Sequence, residues 1–156
     1  MQKNIEIYTD GSSLGNPGRG GWGVVVTSGD KVVAERGGYE ADTTNNRMEL
    51  GAMIEALKYI SEANPNEVVI HADSAYVLGG LSSWIANWER NGWKTANKKP
   101  VMNQDLWQEL IALKRELKNN ITFAKVKGHA GVLHNERADE IATSCAELQR
   151  NHDLSF

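Results

Sequence analysis

The hydrophobic rhythm of the chain changes once, and that change limits the folds open to it. Up to residue 40 the apolar residues lie in strand-like runs. Residues 5–9 (IEIYT) alternate, 22–27 (WGVVVT) form a second run and 31–40 a third, with Ser28-Gly29-Asp30 as a hairpin turn between the last two. From residue 43 the apolar positions recur every three to four. Leu50, Met53, Ile54, Leu57 and Ile60 fit one helix, capped at Thr43 or Thr44 and stopped by Asn64-Pro65-Asn66. An apolar, β-branched run, 67–72 (EVVIHA), follows. A strand returning after a helix implies a crossover and parallel pairing. The chain is therefore expected to fold as an α/β domain with a mixed sheet: an antiparallel meander first, parallel strands after it.

The remaining segments extend this pattern. Residues 74–90 read as a helix interrupted at Gly79-Gly80, and 91–102 as a polar, basic loop. An amphipathic helix is expected over 103–118 (Leu106, Leu110, Leu113, Leu117), a strand over 121–127 and a last helix over 135–149. Residues 10–20 (DGSSLGNPGRG) read as a glycine-rich turn. No repeat or linker divides the sequence, so residues 1–149 are expected to form a single domain, with 150–156, including His152, as a mobile tail.

Composition excludes several classes. The longest uninterrupted apolar runs are Ala75 to Leu78 and Leu110 to Leu113, far short of the roughly 20 residues of a membrane span or the roughly 7–15 of a signal-peptide core. One cysteine, Cys145, rules out an internal disulfide framework and a cysteine-rich zinc site, so the expected home is the cytoplasm. The net charge of −3 hides an asymmetry: residues 90–127 hold nine Lys or Arg against three acids. A basic band on an acidic body suits a polyanion partner beside a site that needs negative charge.

The acids indicate what that site is. Asp10 closes the first expected strand and Asp73 follows the fourth. Parallel neighbours lie about 4.8 Å apart, so two such carboxylates share one sheet edge, where open α/β sheets bind ligands. Glu49 lies roughly 95° from the centre of its helix's apolar stripe, at the edge of the buried face. Asp139 sits near the start of the last helix, which favours a carboxylate. Taken singly, each reads as a turn, cap or solvated helix residue. Taken together they form an all-oxygen set, which selects Mg²⁺ or Mn²⁺, since unneutralised carboxylates repel. Two such ions about 3.5–4 Å apart can clamp a phosphodiester.

Four segments then carry a family likeness. TDGSSLGNPG at 9–18, TTNNRMEL at 43–50, ADSAYV at 72–77, and VKGHAG with HNERAD over 126–139 resemble, in the same order, bacterial type 1 ribonuclease H (ribonuclease HI). The match is colinear over about residues 5–145. The resemblance implies a five-stranded mixed sheet flanked by helices. It also implies an endonuclease that cuts the RNA strand of RNA–DNA hybrids with two divalent ions, Mg²⁺ with Mn²⁺ able to substitute, leaving 3′-hydroxyl and 5′-phosphate ends. Asp10, Glu49, Asp73 and Asp139 match the four metal-binding acids, and His129 the mobile histidine that moves protons or helps product leave.

The same resemblance extends to substrate contacts. Asn16, Asn45, Asn46 and Asn135 match residues lining the groove that reads the RNA 2′-hydroxyl, the feature separating RNA from DNA. Thr44 matches a contact to a DNA-strand phosphate, which a helix N-terminus favours. Residues 84–107 match a basic protrusion, or handle, for the duplex backbone, with Lys94, Lys98 and Lys99 as its charges. Of its tryptophans, Trp84, Trp93 and Trp107 read as core pins and Trp88 as the one that touches a DNA sugar. Ala75 stands where many relatives carry a base-contacting Gln, and Glu89, Asn91 and Met102 stand where they are often basic, so weaker hybrid affinity or steeper salt inhibition is expected. The partner is the hybrid duplex; a monomer with no dedicated protein partner is expected. Two other readings compete: a catalytically dead hybrid-binding module, and a different nuclease or strand-transfer enzyme on the same fold.

Overall fold

In a computed structural model, which describes residues 4–126 and 133–156, the chain builds one mixed sheet with helices on both faces. The elements are β1 (Asn4–Ser13), β2 (Gly18–Ser28), β3 (Lys31–Thr43), α1 (Asn45–Ala63), β4 (Glu67–Ala72) and α2 (Ala75–Gly79). After a π-helical turn over Gly80–Trp84 come α3 (Ile85–Arg90), α4 (Gln104–Glu116), β5 (Asn120–Lys125), α5 (Leu133–Leu148) and β6 (His152–Ser155). The strand order is β5-β4-β1-β2-β3-β6. β1, β2 and β3 pair antiparallel, while β1–β4 and β4–β5 are parallel. The fold is the expected α/β arrangement.

It differs from expectation at three places. The sheet has six strands, not five: β6 pairs antiparallel with β3, Ala34 opposite Ser155 and Gly37 opposite His152. The tail over 150–156, expected to be mobile, thus supplies an edge strand, held by backbone bonds that its polar composition does not advertise. The glycine-rich stretch is mostly strand rather than turn; only residues 14–17 lie between β1 and β2, closed by Leu14 N–H donating to Arg19 O at 2.7 Å. Gly79-Gly80 does not break the helical run, which continues as the π turn, and the indole of the buried Trp107 occupies the space a Cβ on Gly80 would need.

The core follows the two periodicities. Ile7, Val24, Val26, Val68 and Ile70 face α1, whose Leu50, Met53, Leu57 and Ile60 are fully buried against them. On the opposite face Tyr8 and Val25 pack on Ala138, Ile141 and Cys145 of α5. Truncating one of the α1 side chains, for instance Leu57→Ala, would cost about 2–5 kcal/mol in lost burial and a cavity. The expected basic loop is closed by a bridge between Lys94 and Pro100 and anchored through the buried Val101, whose N–H donates to Trp93 O at 3.0 Å.

Candidate active site

The four expected acids meet at one edge of the sheet. β1 and β4 run parallel with Thr9 opposite Ala72, so Asp10 and the exposed Asp73 follow at adjacent register positions. Asp10 is not the last residue of its strand, since β1 continues to Ser13. Glu49 reaches the site from α1 and is only 7 % exposed. Asp139 lies in the second turn of α5 and is exposed.

Two glycines make the convergence possible. A Cβ on Gly11 would collide with the backbone of Met48 and Glu49, so glycine lets α1 press directly onto β1. At that contact the Gly11 N–H donates to Glu49 Oε1 at 2.7 Å, fixing the carboxylate beside Asp10. On the other face, Gly23 is the cross-strand partner of Asp10, and a Cβ there would collide with the Ala138 carbonyl. That close approach seats α5 and brings Asp139 within hydrogen-bonding reach of Asp10. Each helix therefore delivers its acid because the strand beneath it has no side chain in the way.

The electrostatics of this cluster are unfavourable as they stand. Burial, then Glu49 and Asp139, push the Asp10 carboxyl up from 3.8 to about 9. Burial also raises Glu49, with the charges of Asp73 and Asp139 acting the same way, while hydrogen bonds from Asp10 and the Gly11 amide pull it down. Among the described residues, no three acidic, histidine or cysteine side chains stand close enough together to hold a metal ion without rearrangement. The donor chemistry nevertheless fits a hard divalent ion. All the candidate ligands are carboxylate oxygens, and a cation is the partner that relieves their mutual repulsion. Asp10, Glu49, Asp73 and Asp139 could hold it.

The substrate-contact candidates divide into two groups. Thr44 caps α1, its hydroxyl accepting from Arg47 N–H at 3.2 Å, and Asn16 Oδ1 accepts from Asn45 N–H at 3.3 Å. Asn16, Asn45 and Asn46 are exposed, so a polar cradle surrounds the N-terminus of α1. Asn135 lies in the first turn of α5 with its side-chain oxygen buried and unpaired among the described residues. The other group lies in the handle, where Lys94, Lys98 and Lys99 are all exposed. Trp88 is half-buried at the middle of an aromatic cluster, its ring centroid 5.3 Å from Trp107 and 6.0 Å from both Trp84 and Trp93. Trp107 is the core pin expected of it. Trp84 is not, being 39 % exposed at the margin of the cluster. His129 lies outside the described residues.

Two features had no clear signal in the sequence. The Gly11–Glu49 hydrogen bond joins residues on different elements, and only the conjunction of a strand glycine with a helix-edge acid hints at it. Arg47 makes a bidentate pair with Asp105, at 3.0 and 2.8 Å, and also donates to Asn103 Oδ1 at 3.3 Å. Its position in the first turn of α1 gave no reason to expect a partner on α4.

Known proteins match this chain throughout. A family model described as RNase H matches residues 2–147. A ribonuclease H of Rhizobium johnstonii is 55% identical over 155 residues, spanning 99% of each chain. One of Erythrobacter litoralis is 50% identical over 147 residues, covering 94% of this chain and 99% of that protein. Among solved structures, LC9-RNase H1, a type 1 RNase H with the type 2 active-site motif, superposes with a TM-score of 0.84 at 31% identity, covering 100% of this chain and 79% of its own. LC11-RNase H1, solved in complex with an RNA/DNA hybrid, gives 0.67 at 28% identity, covering 93% of this chain and 98% of its own.

Proposed function

The chain belongs to the ribonuclease H family, and from that premise we propose that it hydrolyses the RNA strand of RNA–DNA hybrids with two magnesium ions, leaving 3′-hydroxyl and 5′-phosphate ends. The observation that carries this reading is the gathering of Asp10, Glu49 and Asp139, with Asp73 beside them, at one strand edge next to a polar helix N-terminus. A structure of the related LC11-RNase H1 with an RNA/DNA hybrid supports the choice of substrate. Divalent ions held by these four acids would supply Lewis-acid chemistry, activating the attacking water and stabilising the departing 3′ oxygen, with Mn²⁺ able to replace Mg²⁺.

The protein's own groups position the duplex and hold the charge. Asp10, Glu49, Asp73 and Asp139 are the metal ligands, and the Gly11 amide keeps Glu49 aimed at the site. Asn16, Asn45, Asn46 and Asn135 read the 2′-hydroxyl and neighbouring sugar edges of the RNA strand. Thr44, at the start of α1, accepts a DNA-strand phosphate where helix N–H groups favour negative charge. Trp88 rests against a DNA sugar, and Lys94, Lys98 and Lys99 follow the backbone through salt-sensitive contacts. His129 moves protons or helps the product leave. The catalytic unit is residues 1–149, with the handle at about 84–107.

The enzyme works as a monomer in the cytoplasm, without a dedicated protein partner. Its relatives are bacterial, and among the described residues no helix is long and apolar enough to cross a membrane. The deciding test offers labelled RNA–DNA hybrid, double-stranded RNA and double-stranded DNA with Mg²⁺ or with chelator. Cleavage confined to hybrid RNA, abolished by chelator, is expected; cutting of either other duplex refutes the assignment. Ala75 withholds the base contact of a Gln, Asn91 and Met102 withhold the charges of a fuller handle, and Glu89 pairs with Arg115 at 2.6 Å. Hybrid affinity should therefore be weaker than in a relative with a basic handle, with fewer phosphate contacts to release counterions; equal affinity and an equal slope in a salt titration refute this.

A further inference from the structure

The acids and the handle sit on different elements, and one polar chain joins them. Arg47, in the first turn of α1, grips Asp105 with both terminal guanidinium nitrogens and also donates to Asn103 Oδ1. Asn103 precedes α4 in a left-handed conformation, φ 60°, uncommon for a residue with a side chain. Both ends of its amide are used: Oδ1 accepts from Arg47, and Nδ2 donates to Tyr76 Oη at 3.1 Å. Tyr76 stands on α2, three residues beyond Asp73, and its oxygen also accepts from the indole N–H of Trp107 at 3.0 Å. Trp107 is fully buried and packs edge-on against Trp88, the centre of the handle's aromatic cluster. The chain therefore runs from the helix bearing Glu49, across the root of the handle, to the helix that follows Asp73.

We propose that the Arg47–Asn103–Tyr76 chain is a strut that holds the handle at a set distance from the carboxylates, making Arg47 a positioning residue for duplexes long enough to touch both. The forked Arg47–Asp105 pair suits this task, because two parallel N–H···O bonds fix direction as well as distance. A lysine at that position would keep the charge and lose the direction. Loss of the strut loosens the handle without disturbing the acids, whose placement rests on Gly11 and Gly23. The inference depends on the reading of residues 84–107 as a duplex handle.

The test is steady-state cleavage of a series of hybrids of decreasing length by wild type, R47A, R47K and D105N. On the longest hybrid R47A and D105N should raise KM about tenfold with kcat within about twofold, the pattern of lost binding rather than lost chemistry. R47K should fall between wild type and R47A, and the swapped pair R47E/D105R should recover most of the loss. As the hybrid shortens past the reach of the handle, the difference between wild type and variants should vanish. A penalty that persists undiminished on the shortest hybrid, or a kcat that falls as far as KM rises, overturns the strut. A wild-type KM that does not depend on hybrid length overturns instead the handle reading beneath it, whatever the variants do.

Discussion

Two buried glutamates have been given opposite surroundings. Glu35 of β3 and Glu49 of α1 are 6 % and 7 % exposed. Glu35 is answered from within: Arg137 donates to both its oxygens at 2.8 and 2.9 Å, and His152 of β6 lies 3.0 Å away. The Arg137 guanidinium holds its carboxyl below the ordinary range, with His152 adding to the effect. Glu49 receives one backbone N–H from Gly11 and is otherwise set among other acids; burial, with the charges of Asp73 and Asp139 acting the same way, raises it. Burial of a charge is costly unless it is paired. Where the fold needs strength, the chain supplies the counter-charge itself. At Glu49 no cationic side chain does so among the described residues, which suits the proposed metal site.

The contrast can be broken in four ways. The largest effect belongs to Asp10→Asn, which should lower hybrid cleavage by about 10³-fold or more, since several kcal/mol of transition-state stabilisation pass through that carboxylate. Wild-type turnover by the purified variant would remove Asp10 from the site. Next comes Gly11→Ala: its methyl must push α1 off β1, costing about 3 kcal/mol of stability and displacing Glu49. Denaturant melts and cleavage rates measured together check it, and a variant as stable and active as wild type rejects the glycine seat.

Smaller effects test the sign. Glu35→Gln should destabilise by about 2 kcal/mol, because Arg137 loses its charged partner. The folded carboxyl titrates below its ordinary 4.5, so its contribution is complete above pH about 4.5 and disappears as pH falls through the lower folded value. The gap between wild type and Glu35→Gln should therefore close in acid; a gap independent of pH contradicts the pairing. Asp10→Asn should do the reverse in chelator, raising stability by about 1 kcal/mol as the repulsion is relieved. If both variants destabilise alike in a divalent-free thermal melt, the Glu35 pair and the acid cluster around Glu49 do not differ as described.

Much of this architecture is written in local pattern. The alternation around Ile7 and Val24–Val26 and the stripe from Leu50 to Ile60 each follow from one element's contact with one layer, so they are legible from neighbours in sequence. The site acids are partly legible for the same reason, because Asp10 and Asp73 inherit their places from parallel strands. Trp84 was misread because a tryptophan in a basic band can pin a loop or rim it, and the choice depends on what packs behind it. The fate of 152–155 was misread because a four-residue polar segment carries no apolar period; its strand exists only because β3 offers an unpaired edge.

Periodicity and charge in the linear chain were enough to indicate a mixed α/β sheet and a basic band, and to single out the four acids proposed for a hard cation. Which groups answer each buried charge was not written there. Glu35 and Arg137 lie 102 residues apart, and Gly11 and Glu49 lie 38 apart. Such pairings arise when helices settle onto particular glycines and strands choose particular edges. The physical reason is range: a helix or strand is shaped by the few residues on either side of it, whereas the electrostatic surroundings of a carboxylate are set by whatever the packed chain brings within a few ångströms.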